Sequence, residues 1–244
     1  VTIEDVTSAF VALGLWGPQA QALLDPITEG ELSPERVPSF ASREVFIGGI
    51  PVRVIRMSYA GEDGFELHVA TEYGAALWDA LWAAGAEQGL VAAGLTALDS
   101  LRIESGFRGL GTDLRADRTP VEAGLGFAIS KIRGNYIGHG ALKDREPAEM
   151  LSLLAFDEPE VVVIGKEPVL ADGEVVGYVT SANFGYTTGK SLALAYLPTA
   201  LAAPGTRLEI EYFGVRYPVT VNSDPLIAPK RTAAKRNKVV VGNA

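Results

Sequence analysis

Six short apolar runs in the second half of the chain constrain its fold more than any other feature. They are Leu151–Phe156, Pro168–Leu170, Glu174–Ser181, Ser191–Tyr196, Arg207–Tyr212 and Val215–Val221. Turn-forming pairs, Asp172-Gly173, Pro204-Gly205 and Phe213-Gly214, separate several of these runs. Because short apolar runs between tight turns are typical of antiparallel strands, we expect a small β-barrel or sandwich here.

The first half of the chain mixes strands with helices. Strands are predicted at Ala9–Leu15, Arg43–Ile47, Pro51–Tyr59 and Phe65–Ala70, and a short helix is predicted from Pro18 to about Leu24. The apolar spacing predicts two longer helices, Glu72–Gln88 and Leu95–Ser105. We place Leu77, Trp78, Leu81 and Trp82 on one face of the first of these helices, and Leu95, Leu98 and Leu101 at threefold spacing on the second.

These patterns together predict an α+β protein. The expected architecture is an antiparallel sheet with packed helices, followed by a small C-terminal β-barrel. The character of the sequence changes near Arg145–Glu149, so we divide the chain into an α+β part, residues 1–148, and a barrel domain, residues 149–244.

Composition excludes several classes of function. The chain has no cysteine, which rules out disulfides, thiolate metal sites and cysteine nucleophiles, and its two histidines give poor support to any other metal site. A net charge of -9 disfavours nucleic acid as a partner. No apolar run reaches the roughly 18 residues that span a bilayer, and no signal peptide is visible, so we expect a cytoplasmic protein without a membrane partner.

One basic run stands out against the acidic background. It contains Lys230, Arg231, Lys235, Arg236 and Lys238. It is either a solvated C-terminal tail or a surface for an anionic polyglutamate or a partner domain.

The segment Tyr59–Glu66 is the first candidate for chemistry. Gly61 and the pair Asp63-Gly64 predict a hairpin turn that brings Tyr59 and Glu66 near each other. Glu66 points away from the apolar face of its strand, so it is either a solvent-facing carboxylate or a binding group. A carboxylate can accept two parallel N–H bonds from the edge of a pterin ring, and a tyrosine ring can pack against such a ring.

Two glycine-containing segments and one helix supply further candidates. Asp99 and Arg102 are helix neighbours that either pair at the helix surface to brace a loop or contact a ligand. The glycines of Gly109–Asp113 and Thr119–Phe127 lack the phosphate-loop pattern and are expected to allow close backbone approach at a cavity wall. Glu122 and Phe127 would line that wall.

The sequence Gly189-Lys190-Ser191 imitates the end of a phosphate-binding loop. Phe184 stands where that motif needs its first glycine, and the surrounding pattern is strand–turn–strand. We therefore expect no nucleotide phosphate site here.

These segments, in this order, resemble the glycine-cleavage T-protein (aminomethyltransferase) family. The similarity begins at Leu13–Pro18, covers nearly the whole chain, and is most specific at Tyr59–Glu66 and Thr119–Leu125. Details such as Tyr186–Ser191 and Asp224-Pro225-Leu226 look closest to the folate modules fused behind flavin-dependent dimethylglycine and sarcosine dehydrogenases or oxidases.

The resemblance implies an aminomethyltransferase-type folate-binding fold with tetrahydrofolate as its cofactor. It implies that Glu66 orients the pterin with Tyr59 beside it, and that Phe127 and Tyr186 help to line the folate site. It adds Arg102, Asp113 and Glu122 as further residues of that site. Leu98 replaces an arginine that often holds the folate glutamate tail, and the region carrying the family's catalytic Asp precedes anything that matches Val1. We therefore assign no catalytic residue and expect that carboxylate outside this chain.

The implied reaction is transfer of a one-carbon unit from an N-methyl amine or glycine-derived donor to tetrahydrofolate. Implied partners are a flavin-dependent oxidoreductase domain or a lipoyl carrier protein. Three alternatives stay open: a folate-dependent demethylase on the same scaffold, a non-catalytic folate-binding or regulatory module, and a structural domain without a ligand.

Overall fold

The computed structural model of the chain describes residues 2–129, 136–143, 145–161 and 163–226. Within these ranges, the contacts group residues 2–93 into one compact unit and residues 94–226 into a second. These units divide between residues 93 and 94, and the domain boundary predicted between residues 148 and 149 stays a prediction.

The first unit is built on a five-stranded sheet with the order β1-β5-β4-β3-β2, antiparallel throughout. Its strands are β1 (Phe10–Trp16), β2 (Thr28–Glu29), β3 (Ser42–Ile47), β4 (Ile50–Ile55) and β5 (Gly64–Ala70). Its helices are α1 (Ala20–Leu24) and α2 (Gly74–Gly85), with single 3-10 turns at Thr7–Ala9, Asp25–Ile27, Thr71–Tyr73 and Ala86–Gln88.

The core of the first unit lies on one face of this sheet. Phe65, Leu67 and Val69 alternate along β5 and are buried, as predicted, in the same apolar cluster as Leu77 and Leu81 of α2. The prediction that Trp78 and Trp82 share the face of those leucines was wrong, because the two residues are 46% and 41% exposed and their indoles stack on each other. Adjacent helix positions differ by about 100°, so the tryptophans form the neighbouring stripe.

The turn between β3 and β4 follows the prediction. Gly48 and Gly49 have φ angles of 56° and 77°, and Ile47 pairs with Ile50 across them. Two consecutive left-handed residues form the type I′ turn that matches the twist of a hairpin.

The connection between β4 and β5 differs from the predicted tight turn. β4 ends at Ile55, not Tyr59, and residues 56–63 form a wider loop. Gly64 is the first residue of β5, and a Cβ there would lie 2.4 Å from the carbonyl oxygen of Leu15. This glycine therefore permits close strand packing, whereas the left-handed turn residue is Gly61, with φ 83°.

The second unit contains a closed antiparallel barrel with the order β10-β11-β6-β9-β8-β7. Its strands are β6 (Glu149–Phe156), β7 (Pro168–Ala171), β8 (Glu174–Gly185), β9 (Lys190–Pro198), β10 (Arg207–Tyr212) and β11 (Val215–Asn222). The unit also has helices α3 (Leu95–Glu104) and α4 (His139–Leu142), and 3-10 turns at Gly126–Ala128 and Thr199–Leu201.

The barrel confirms the predicted fold class and its turn chemistry. Asp172-Gly173 and Phe213-Gly214 each have two positive φ angles and connect paired strands as two-residue turns. The structure thus has the expected α+β unit with its sheet and packed helices, followed by the expected C-terminal β-barrel.

Helix α3 buries three polar side chains beside Ile103, which is 0% exposed and packs in an apolar cluster of the second unit. Leu95 and Leu101 are exposed, while Ser100, Arg102 and Glu104 are buried. The buried polar side chains bind groups of the second unit that no helical period can reveal. No helix in the described part of the chain is long and apolar enough to cross a membrane.

We expect the two neighbouring stripes of α2 to differ sharply in their contribution to stability. Leu77 is 0% exposed and Trp78 is 46% exposed. Replacing Leu77 with Ala should lower the free energy of unfolding by about 2–5 kcal/mol, because it leaves a cavity in the core. Trp78→Ala is the matched control and should cost under about 1 kcal/mol, as measured by urea denaturation. Equal costs would contradict this assignment of the core face.

Candidate functional site

Glu66 lies on the face of the first sheet opposite the apolar core. It is flanked by Gly14 of β1 and Ile55 of β4 in the strand register. Its side chain is 30% exposed, and Oε2 lies 3.2 Å from Nε2 of His68 on the same face. A partly desolvated carboxylate with a fixed neighbour is better suited to binding than a mobile surface group. His68 lies two residues after Glu66 and therefore on the same face of the strand, but no local pattern in the sequence gives this histidine a role.

The loop that precedes Glu66 is held by a buried arginine that sequence reasoning missed. Arg56 donates from Nε to the carbonyl oxygen of Val37 at 2.6 Å and from Nη2 to Oε1 of Gln21 at 2.9 Å. Its guanidinium lies 4.5 Å from the ring centroid of Phe65, the neighbour of Glu66. Tyr59 is half-buried in this loop. Nothing in the local sequence separates Arg56 from an ordinary surface arginine, because its partners are distant in the chain.

Asp113 is the centre of a buried polar network in the second unit. Its carboxylate accepts hydrogen bonds from Arg102, from the backbone N–H of Gly109 at 2.7 Å, and from the hydroxyls of Thr180 and Ser181. Its carbonyl oxygen accepts the hydroxyl of Tyr196 at 2.8 Å. Asp113 is 0% exposed, so these protein groups and not solvent satisfy its charge.

Arg102 pairs with Asp99, which is one of the two alternatives predicted. The guanidinium of Arg102, however, does not lie at the helix surface. Its side chain is buried, and it also donates to Asp113 and to the carbonyl oxygen of Phe107. The pair therefore braces the loop after α3 from inside the unit. The predicted placement at the surface was wrong, because the acidic partner Asp113 draws the guanidinium inward.

The turn that imitates a phosphate loop is occupied by a carboxylate of the protein. Oε1 of buried Glu104 accepts the backbone N–H groups of Thr187 and Thr188 at 3.0 and 2.7 Å. These amides are therefore already paired, in agreement with the expectation of no nucleotide site. The same turn carries Tyr186, which is 80% exposed and packs edge-on against Phe184.

Glu122 forms a reciprocal capping arrangement with Thr119. Its Oε2 accepts the backbone N–H of Thr119 at 2.7 Å and the Thr119 hydroxyl at 2.9 Å, while its own N–H donates to that hydroxyl. The bond from the Thr119 backbone lowers the pKa of Glu122 despite burial. Phe127, a few residues later, is 84% exposed.

The predicted site residues thus fall into two groups by their surroundings. Glu66, Tyr59, Phe127 and Tyr186 keep exposed or partly exposed side chains, whereas Arg102, Asp113 and Glu122 are buried. Within the described ranges, no three His, Asp or Glu side chains are placed to hold a metal ion. The basic run Lys230–Lys238 lies outside the described residues.

Comparison with known families assigns both halves of the chain. Residues 1–133 match the GCVT N-terminal domain, and residues 150–227 match the glycine cleavage T-protein C-terminal barrel domain. The chain belongs to the glycine cleavage T-protein family. The resemblance predicted from its motifs is confirmed.

Relatives within this family are of two kinds. Mitochondrial dimethylglycine dehydrogenase of Mus musculus is 35% identical over 98% of this chain, which covers 28% of that protein. The aminomethyltransferase of Symbiobacterium thermophilum is 40% identical over 84% of this chain and 56% of that protein. The crystal structure of glycine cleavage system aminomethyltransferase T from Bartonella henselae matches with a TM-score of 0.80 and 28% identity, over 90% of this chain and 60% of that one. The chain spans less than two thirds of each relative.

We expect the Asp113 network to be worth far more to stability than a surface ion pair. Asp113→Asn removes the buried counter-charge of Arg102 and leaves it only the partly exposed Asp99, so it should lower the free energy of unfolding by about 3–5 kcal/mol. The control is Glu44→Gln, which breaks the exposed 2.7 Å pair with Arg53 and should cost about 0–1 kcal/mol. Urea denaturation measures both values. A cost for Asp113→Asn as small as that of the control would contradict the network's role.

The contribution of Glu122 to the free energy of unfolding should disappear in acid. Because its pKa is lowered in the folded protein from an ordinary value of 4.5, its contribution is complete above that pH and is lost as the pH falls through the folded value. Glu122→Gln should cost about 1 kcal/mol near pH 7. The difference from the unmodified chain should shrink in unfolding experiments below about pH 4.5. A difference that stays constant down to pH 3 would argue against the ionised cap.

Proposed function

We propose that this chain binds tetrahydrofolate through Glu66 and takes part in transferring a one-carbon unit to it. The observation that carries the proposal is the partly exposed Glu66 carboxylate, held beside His68 on the outer face of the first sheet. Membership of the glycine cleavage T-protein family supports folate as the ligand.

The chemistry of the carboxylate fits the edge of a pterin. A pterin offers an exocyclic amine beside a ring N–H, and an ionised carboxylate has about four acceptor positions on its two oxygens. His68 uses one position on Oε2 and restrains the rotation of the group. Two parallel charge-assisted bonds from the ligand would then fix both its position and its orientation.

We assign different roles to the two groups of predicted residues. Glu66 and Tyr59 of the first unit are proposed to contact the folate, since each keeps accessible side-chain surface. A folate contact by Phe127 or Tyr186 of the second unit stays a prediction. Buried Arg102, Asp113 and Glu122 are proposed to act as positioning residues that shape the loops after α3.

Holding the folate would accelerate the transfer mainly by orientation. The donor carbon arrives as an iminium or aminomethyl species, and the folate amine attacks it to form a new carbon–nitrogen bond. As that bond forms, the π electrons of the iminium move onto the donor nitrogen, or the bond between an aminomethyl carbon and its carrier breaks. The donor nitrogen takes up the proton that the folate amine loses and leaves as the free amine. The amine is a weak nucleophile, so fixing both reactants in contact removes most of the entropic cost of the encounter. A carboxylate near the amine would stabilise the positive charge that develops there. We assign that carboxylate to no residue of this chain.

The donor is proposed to be an N-methyl amine or a glycine-derived aminomethyl group. The similarity to dimethylglycine dehydrogenase supports the N-methyl amine, and the similarity to aminomethyltransferase supports the aminomethyl group. The partner would be a flavin-dependent oxidoreductase domain in the first case and a lipoyl carrier protein in the second. A cytoplasmic location stays a prediction, and the mammalian relative is named mitochondrial.

Calorimetric titration with tetrahydrofolate or its 5-formyl analogue tests the site. Glu66→Gln keeps the size of the side chain but replaces an acceptor by an amide donor. We expect binding about 100-fold weaker, which is about 2.7 kcal/mol, because at least one charge-assisted bond is lost.

Glu44→Gln is the matched control for this titration. Glu44 is a carboxylate on the same face of the same sheet, two strands from Glu66, and is 76% exposed in its side chain. The Glu44→Gln variant should bind folate as tightly as the unmodified chain does. Equal binding by Glu66→Gln and the unmodified chain would refute the site but not the ligand, and no binding by the unmodified chain would refute the proposal.

A further inference from the structure

Trp16 lies on a surface made by two glycines. A Cβ on Gly14 would lie 2.5 Å from two atoms of the six-membered ring of the indole, and a Cβ on Gly64 would lie 2.6 Å from Cδ1 of the five-membered ring. Real Cβ atoms essentially never lie so close to an atom to which they are not bonded. The indole therefore packs directly on the backbone of β1 and β5, and only residues without a side chain permit this position.

A hydrogen bond fixes the indole on this surface. Its Nε1–H donates to the carbonyl oxygen of Met57 at 3.2 Å, in the loop that carries Tyr59. The backbone N–H of Gly17 donates to the carbonyl oxygen of Asp63 at 2.9 Å, which ties the end of β1 to the same loop. The ring is thus held at its polar atom and along its flat face.

The strand register places this ring beside the Glu66 carboxylate. Gly14, which lies under the six-membered ring, is the direct partner of Glu66 across β1 and β5, and Trp16 is the partner of Gly64. Paired residues of neighbouring strands project on the same face, about 5 Å apart. Trp16 is half-buried and does not belong to the buried core cluster, whose member in this part of β1 is Leu15.

We propose that Trp16 is a platform on which the flat ring of the ligand packs while Glu66 binds the edge of that ring. This inference rests on the proposed function and adds a selectivity to it. A planar heterocycle with adjacent N–H groups satisfies the indole and the carboxylate together, whereas a non-planar amine satisfies the carboxylate alone. Offset stacking on an indole strengthens binding beyond the burial of area.

Calorimetry of two Trp16 variants tests the contact. Trp16→Gln removes the aromatic surface and should weaken binding of 5-formyltetrahydrofolate about 10-fold, whereas Trp16→Phe keeps a flat ring and should stay within about 3-fold of the unmodified chain. Gly14→Val leaves the indole in the sequence but displaces it, and should weaken binding about as much as Trp16→Gln. Unfolding midpoints check that each variant is folded.

Fluorescence gives a second measurement on a chain that keeps Trp16. The protein has three tryptophans, so Trp78→Phe with Trp82→Phe leaves Trp16 as the only indole. Its emission should change on titration, with half-saturation at the calorimetric dissociation constant. In the control, Trp16→Phe with Trp78 and Trp82 retained, no saturable change should occur after correction for ligand absorbance.

The outcomes separate this inference from the proposed function. Binding that Glu66→Gln weakens but Trp16→Gln and Gly14→Val leave unchanged, with constant Trp16 emission, would overturn the platform and leave the folate site intact. No binding by the unmodified chain would overturn both. If Trp16→Gln does not fold, the Trp16 emission of the double variant decides the question. A change that saturates with the ligand supports the contact, and constant emission refutes it.

Discussion

The buried charge of Asp113 is the constraint on which the second unit depends. A carboxylate removed from water is costly unless hydrogen bonds and an opposite charge satisfy it, and here α3, the following loop and β8 all supply partners. Burial raises the pKa of Tyr196 to about 12, so its hydroxyl stays a donor to the Asp113 carbonyl oxygen. Helix α3 therefore turns Arg102 and Glu104 inward beside the apolar Ile103, and Glu104 holds the turn that carries Tyr186 through the backbone N–H groups of Thr187 and Thr188.

Sequence periodicity predicted the features that depend on one helix or strand, but few of the features that depend on contacts between two of them. The alternation of β5 was enough to put Glu66 on the outer face, because a strand has only two faces. The leucine spacing of α3 predicted the helix but not its buried polar side chains, since the partners of Arg102 and Glu104 lie about ten and more than eighty residues further along the chain. A polar side chain is buried where distant groups complete its hydrogen bonds, and a local pattern contains no information about those groups.

The glycines show the same limit in a different form. Gly48 and Gly49 could be assigned to a turn from sequence, because a two-residue turn between strands needs positive φ at both positions. Gly64 was assigned to a turn for the same reason, yet it is a strand residue that makes room for the Leu15 carbonyl oxygen and for an indole. Sequence cannot separate the two uses of glycine, since one concerns its own backbone and the other concerns a neighbour in space.

The outer face of the first sheet also shows why one carboxylate is suited to recognition and another is not. Glu44 is extensively solvated and is paired with Arg53, so a ligand there would compete with both water and an arginine. Glu66 lies between Gly14 and Ile55, which contribute no charge, and its neighbour His68 orients it through one oxygen. Water is already partly excluded at that position, so a ligand's N–H groups gain more from the carboxylate than they would at the surface. The specificity of this face thus comes from what surrounds the charge, and the charge alone would not distinguish the two residues.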